Sequence, residues 1–350
     1  MSTQIPPFEP IRTERLIIRC PVMADVDAAY ERRRLPEVGR YQDWVMPYTR
    51  ERAEKSTARC VEMGGPAVDA TWNATVVDAD DPERILGDLA LEMRWEGRVG
   101  YFGYTFHPDY WGRGYATEAS QALMRYLFHD LGVTRVESEL DPRNAPSARV
   151  LEACGLLFEG LTRESFWVGD ECSSNMLYGM TRADWDAWIN RPRRRPDHVE
   201  LVPVTPENSI AVGRIATHKT QERFVPPMGE NFRDALVPPE RDGTAIEQWY
   251  RAIEADGDIV GFVITEEPGE AQAEPRVLRL LIDRMHQRRG IGTAVMDQIE
   301  ERWREVGAIS VSLSYARGPG TPAGFFAARG YQPIEGADPD HATAAKRLRG

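Results

Sequence analysis

Residues 107–132 read HPDYWGRGYATEASQALMRYLFHDLG, and residues 286–307 read HQRRGIGTAVMDQIEERWREVG. Each is a glycine-rich turn that opens a helix. In the first, Ala119, Ala122, Leu123, Tyr126 and Leu127 recur at helical spacing from Tyr115 onward, and Gly132 supplies the stop. Upstream of each turn lies a strand-like run, VGYFGYTF at 99–106 and RVLRLLID at 276–283. A strand that passes through such a turn into a helix presents first-turn amides without intrahelical partners, at the positive end of the helix dipole. Gly112, Gly114 and the small Ala116, with Gly290 and Gly292 in the second copy, let a ligand approach the backbone. Arg113, Arg288 and Arg289 add local positive charge, so the pattern suits a pyrophosphate-like anion. No GxxxxGK[ST] occurs, WGRGYA does not supply GxGxxG, and neither half opens on a strand–loop–helix unit, which sets aside the P-loop and dinucleotide readings.

Outward from these turns, the two halves share one succession: strand, helices, strand hairpin, strand, glycine turn, helix, strand, short helix, strand. In the first half the helices are expected from Asp25 to Leu35 and from Thr49 to Met63, with Gly64 and Gly65 closing the second. In the second half Asp256-Gly257 marks a primed hairpin turn. The divide is RPRRRPD, Arg191 to Asp197, where two prolines and four arginines oppose regular structure. The expectation is a domain over 1–190, a solvated linker over 191–197 and a second domain over 198–350, each an α/β unit with a mixed α+β sheet, related by internal duplication.

Length and charge bound the function. A chain of 350 residues accommodates two domains. A net charge of −12 argues against sequence-independent nucleic-acid or anionic-membrane binding and hints at a cationic acceptor. Cys20, Cys60, Cys154 and Cys172 have no disulfide or zinc-ribbon spacing, and the six histidines include no HExxH pair, so no metal is expected. With no apolar run of membrane-spanning length and no secretory signal, the expected location is the cytoplasm.

The segment QRRGIG resembles the Gln/Arg-x-x-Gly-x-Gly/Ala signature of the GNAT acyltransferases. WGRGYATEA resembles the same motif in their ribosomal-protein N-acetyltransferase branch. RTERLIIR near the start, and Asp141, Pro142, Arg143, Asn144, Ser147, Val150, Leu151 and Gly155, extend that similarity over most of residues 10–188. The second half, through WYRAIEADGDIVGFVI, RLLID and GTPAGFFAARGY, is similar to the diamine (spermine/spermidine) acetyltransferase branch. The resemblance implies two tandem GNAT acyl-CoA N-acyltransferase folds with acetyl-CoA as co-substrate. It implies acetyl transfer to a primary amine, on a small molecule or a peptide, by direct attack in a ternary complex. A non-catalytic acyl-CoA-binding or regulatory tandem protein, in which both halves have lost acid and base, is the alternative; in the leading reading the second half alone is degenerate. Two fused units can replace a homodimer, or the fusion can dimerise again.

Carried over residue by residue, the resemblance places Tyr104, Thr105 and Phe106, and Leu281, Ile282 and Asp283, along the donor. Trp111, Gly112, Arg113, Gly114, Tyr115 and Ala116, and Gln287, Arg288, Arg289, Gly290, Ile291 and Gly292, are its cofactor loops. Asn144 binds the cofactor or orders its own turn. Many relatives protonate the leaving thiolate with a tyrosine; Leu151 and Phe326 stand at that place here. Ser147, one turn earlier, fits an alternative acid, and a helix-capping serine is the competing reading. Tyr101 occupies the strand position where that branch often carries a glutamate. Glu164 is the expected substitute base, with Glu92 and Glu139 as further carboxylates that also read as solvated strand residues.

Overall fold

A computed structural model describes residues 5–237, 240–241, 243–269, 274–334 and 338–348. The chain divides into two compact units, Met1–Asn190 and Arg191–Gly350. Both are mixed α/β units.

The first unit is built on an eight-stranded sheet: β1 (Ile11–Arg12), β2 (Leu16–Arg19), β3 (Trp72–Asp78), β4 (Ile85–Arg94), β5 (Val99–Phe106), β6 (Arg135–Leu140), β7 (Leu157–Val168) and β8 (Glu171–Thr181), in the order β1-β2-β3-β4-β5-β6-β8-β7. Only β5 and β6 run parallel. Its helices are α1 (Val26–Arg33), α2 (Pro36–Gly39), α3 (Arg50–Met63), α4 (Tyr115–Arg125), α5 (Ala145–Cys154) and α6 (Arg182–Asn190).

Local chemistry sets these boundaries. Thr49 caps α3 by accepting from the Arg52 amide, and Gly64 ends it at φ 64°. Gly114 enters α4 at φ 81°, and a π-helical turn over Tyr126–Asp130 extends α4 toward Gly132. The helix expected from Asp25 to Leu35 is α1, which stops at Arg33, and Pro36, the expected stop, itself opens the short α2 at its first position. Asp25 does not cap α1; its carboxylate is buried and accepts from Arg19, Thr75 and the Val22 amide. Trp185 and Trp188 are buried, Trp185 stacking on Phe128 with ring centroids 5.3 Å apart.

The second unit carries β9 (Val199–Val202), the short pair β10 (Glu240–Arg241) and β11 (Thr244–Ala245), then β12 (Gln248–Ala255), β13 (Asp258–Glu266), β14 (Arg276–Ile282), β15 (Ser310–Ala316), β16 (Gln332–Ile334) and β17 (His341–Arg347). The seven-stranded sheet runs β16-β17-β15-β14-β13-β12-β9. Helices are α7 (Ser209–Gly213), α8 (Met228–Leu236), α9 (Ile291–Glu305) and α10 (Ala323–Ala328). The β12–β13 hairpin turns at Asp256 and Gly257, both at positive φ. Of the strand expected at YQPIEG, residues 335 and 336 lie outside the described residues, and β17 was not anticipated. One core lies under α9, from Val295, Ile299 and Trp303 to Val311, Leu313 and Phe326. A second, around Phe262, Ile264 and Leu281, fills the α7–α8 side. Glu300 is buried and neutralised by Arg329, Lys346 and Arg304, with Tyr331 donating a further hydrogen bond. The other two lysines are also ion-paired, Lys55 with Glu51 and Lys219 with Glu222. Arg191–Asp197 is no free tether: it belongs to the second unit, and its Arg194 carbonyl accepts from Arg289 Nε at 2.7 Å.

Candidate active site

In the first unit, β5 and β6 pair only at Val99↔Arg135, Gly100↔Val136 and Tyr101↔Glu137. Ser138 Oγ bridges to the Phe102 carbonyl at 2.9 Å, and beyond that point the strands part. The rest of β5, including Tyr104, Thr105 and Phe106, keeps its pairing with β4 and faces an opening on the other side. The opening leads to the glycine turn. Gly112 (φ 72°) and Gly114 (φ 81°) both need the left-handed conformation, and a Cβ on Gly112 would meet nothing within 4 Å. Trp111 closes the turn by donating from its indole to the Phe106 carbonyl, 2.9 Å away. The Arg113 side chain is exposed, with no partner among the described residues. These features leave room for a polyanion beside the first-turn amides of α4, from Tyr115 and Ala116 onward.

On the far side of the parting, Asn144 caps α5 by accepting from the Ser147 amide at 3.3 Å. The buried Tyr104 reaches across and donates to the Ser147 carbonyl at 3.1 Å. Burial pushes its phenol well above the ordinary tyrosine range, so it stays protonated. The fold thus unites Tyr104, Asn144 and Ser147. Leu151 and Cys154, farther along α5, are buried, and burial lifts the Cys154 thiol to about 12.

A cleft of about 1820 Å³ opens on the sheet face that carries Asp88, Glu92, Tyr101, Thr105 and Glu139. Glu139 is exposed in it, accepting from Tyr101 Oη at 3.0 Å and from Asn175 Nδ2 at 2.9 Å. No cation pairs with Glu139 among the described residues. Glu92 is tied to Arg94 at 2.6 Å, and Arg94 also lies 3.7 Å over the Tyr101 ring. Burial and the Glu139 charge hold Tyr101 above its ordinary pKa, as a proton donor. Glu164, the expected base, is not among the lining residues: it sits exposed, at φ 48°, where β7 loses register with β8 between Thr162 and Phe166. Seven arginines and eight carboxylates line the cleft, so the acid excess of the chain is not concentrated there.

The second unit repeats the parting. β14 and β15 pair only at Arg276↔Ser312 and Val277↔Leu313, leaving the end of β14 with Leu281 and Ile282 open on that side. Gln287 donates to the Ile282 carbonyl at 3.0 Å and shares two hydrogen bonds with Gln221. Asp283 accepts from the Ala216 and Met285 amides, which shapes the turn. Arg288 (φ 62°) is exposed and Gly290 (φ 79°) enters α9, whose first residue Ile291 is buried; a Cβ on Gly292 would meet the Phe325 ring at 3.5 Å. Arg289, expected to face an anion, points inward instead. It is 7% exposed and held by the Arg194 carbonyl and His286 Nδ1. Phe326 is buried and stacked on Tyr315, with no hydroxyl to offer.

Comparison with known proteins meets this geometry twice. A family model described as an acetyltransferase (GNAT) domain matches residues 15–157, and one described as the acetyltransferase (GNAT) family matches residues 214–331. The chain is a tandem GNAT N-acetyltransferase. It is 29% identical over 161 residues to the uncharacterized N-acetyltransferase p20 of Bacillus licheniformis, covering 45% of this chain and 87% of that protein. It is 25% identical over 109 residues to the ribosomal protein uS5-alanine N-acetyltransferase of Escherichia coli, covering 31% of this chain and 56% of that enzyme, about half its length. The crystal structure of a GNAT-family acetyltransferase from Bacillus anthracis aligns with TM-score 0.45 and 26% identity, over 50% of this chain and 99% of that one.

The tandem GNAT chain also uses residues that sequence reasoning did not single out. Glu118, in the first turn of α4, would oppose an anion there. It is offset by Arg15, whose Nη2 lies 2.6 Å away, and by Thr13. Arg15 also donates to the Arg113 carbonyl and stacks on Tyr115. The pairing of RTERL with TEA was the available signal. Among the described residues, no group of three or more metal-ligating side chains is assembled, and no helix is long and apolar enough to cross a membrane.

Proposed function

We propose that the first unit transfers the acetyl group of acetyl-CoA to a primary amine by direct attack in a ternary complex. The observation that carries this reading is the parting of β5 from β6 after Tyr101↔Glu137, which sets the glycine turn on one side of the open strand and the Glu139 cleft on the other. Tyr104, Thr105 and Phe106 line the thioester through their backbone. Trp111 to Ala116 take the pyrophosphate, with Asn144 ordering the turn opposite.

In the cleft, the carboxylate of Glu139 receives the proton that an incoming ammonium must lose before its lone pair can attack. The bond formed joins the amine nitrogen to the acetyl carbon, and the bond broken is carbon–sulfur. Ser147, whose hydroxyl has no partner among the described residues, relays the second proton: it gives its own to the departing thiolate and takes back the one that the attacking nitrogen sheds as the amide forms. Tyr104 positions Ser147 through its carbonyl. The proton taken by Glu139 leaves to solvent. Glu139 therefore replaces Glu164 as the base, and Tyr101 and Asn175 orient it.

The E. coli relative is named for acetylating an alanine of a ribosomal protein, so peptides with free N-termini lead the acceptor panel, followed by polyamines and small amines. The test is acetyl-CoA-dependent thiol release by the full chain. Turnover with at least one amine, reduced by E139Q and by S147A with acetyl-CoA binding retained, supports the proposal. Tight acetyl-CoA binding without turnover on any acceptor overturns it in favour of a regulator.

A further inference from the structure

We infer that the cleft of the second unit is a binding site for an oxyanion, a carboxylate or phosphate group on a small molecule, and not for an amine. This cleft, about 540 Å³, occupies the sheet face where β14 parts from β15. The two units can be compared at the parting itself. In the first, Tyr101 on the inner strand reaches diagonally to Glu139, two residues past its paired position Glu137 on the neighbouring strand. In the second, Arg276 reaches by the same diagonal to Ser314, two residues past its paired position Ser312, at 2.5 Å. Ser314 Oγ in turn lies 3.0 Å from Thr343 Oγ1 on β17. Where one unit sets a carboxylate, the other sets a guanidinium and two hydroxyls. That set repels an ammonium and offers no base.

A register shift in β14 enlarges the cationic set. Between Ile264 and Thr265 the partners skip from Arg279 to Val277, leaving Leu278 as an extra residue. Side chains of β14 then change sides: Val277 packs under α9, whereas Leu281 packs on the α7–α8 side. Arg276 and Arg279 consequently both line the cleft, and Arg223 joins them from the loop before α8. Among the described residues, Arg223 donates only to the Arg317 carbonyl, and Arg276 only to Ser314. Arg279 is paired with Asp234, yet its buried Nε has no partner.

The two carboxylates that line the cleft are committed. Glu222 pairs with Lys219, and Asp338 with His341 and two backbone amides. Glu266, the cross-strand neighbour of Arg276, is buried, is not among the lining residues and makes no ion pair with Arg276; its Oε2 has no partner among the described residues. Two guanidiniums without counter-ions among the described residues, beside two hydroxyls, form the donor array that a planar or tetrahedral oxyanion accepts.

The experiment is calorimetric titration of the full chain with two probes, inorganic phosphate and succinate, in wild type, R223Q, R276Q and R276K. Saturable binding of either probe, weakened roughly tenfold or more by R223Q and by R276Q and partly restored in R276K, supports the site. Binding of phosphate alone points to a phosphate ester as the natural ligand, and of succinate alone to a carboxylate. Absence of saturable binding of both probes overturns the inference. So does wild-type affinity in R276Q, which would place the anion at the glycine turn of this unit. Circular dichroism of each variant separates lost binding from lost folding. Amine turnover by the first unit is a separate readout, so neither result depends on the other.

Discussion

Glu139 and Glu164 show how a side chain's surroundings, more than its type, decide what it can do. Glu139 stands in the cleft on two neutral donors, whereas Glu164 is stranded on a bulge. E139Q is expected to lower kcat by about 10²–10⁴ with the KM for acetyl-CoA unchanged, and E164Q to leave both unchanged; steady-state kinetics distinguishes them. Asp88 presents the opposite case. It is buried with Arg32 and also pairs with the largely covered Arg33, and it is the carboxylate that both guanidiniums share. Replacing it by asparagine leaves both cations without that counter-charge. The expected loss is about 3–5 kcal/mol in urea unfolding at pH 7. Desolvation opposes ionisation of Asp88, but the two arginines outweigh it and keep its carboxyl below the usual value of 3.8. Stabilisation from this group is therefore present above about pH 4 and lost as the pH falls below it. In D88N that acid-side loss is reduced. At the thiols, Cys154 is buried with its pKa raised, and Cys60 is buried too. Iodoacetamide at neutral pH is expected to reach only Cys20 and Cys172 before unfolding, read by peptide mass mapping.

At the scale of elements, the glycine turns allow a controlled comparison. Gly112 and Gly132 both lie at positive φ, and a Cβ on either would meet nothing within 4 Å. Alanine at either position costs about 1–2 kcal/mol of backbone strain. Only G112A places a methyl group in the proposed donor cradle, so it alone is expected to weaken acetyl-CoA binding, with G132A as the calorimetric control.

These turns, the caps at Thr49 and Gly64 and the Asp256-Gly257 hairpin were legible in sequence because each is set by a few adjacent residues. The partner of Tyr101 was not, since it depends on a parallel register between strands 36 residues apart and on where that register ends. Nor was the inward turn of Arg289, whose acceptor lies 95 residues away. The end of α1 was legible in Pro36, whereas the helical turn that Pro36 itself opens was not. The shift at Leu278 leaves no mark in β14, whose two arginines and five aliphatic residues include no glycine or proline to signal a bulge.

For the whole molecule, two units with one architecture have diverged in the chemistry of their clefts. Disabling the first unit with E139Q and S147A together is expected to abolish amine acetylation by the full chain, although the second unit and its glycine turn are intact. R276Q is expected to leave kcat unchanged. Residual turnover in the double variant, measured by thiol release, would assign catalysis to the second unit as well.

The ion pairs on Lys55, Lys219 and Lys346 have a consequence of another kind. An enzyme that modifies amines is exposed to its own chemistry. Here the side-chain amines number three, each ion-paired with a carboxylate, and the hydrogen bond and charge of Glu51 raise Lys55 above its ordinary pKa, toward the unreactive ammonium form. Arginine carries the remaining positive charge, and its guanidinium stays protonated and does not compete as a nucleophile. The chain presents little substrate to itself, and its acetyl-CoA consumption can be read against a low background of self-modification.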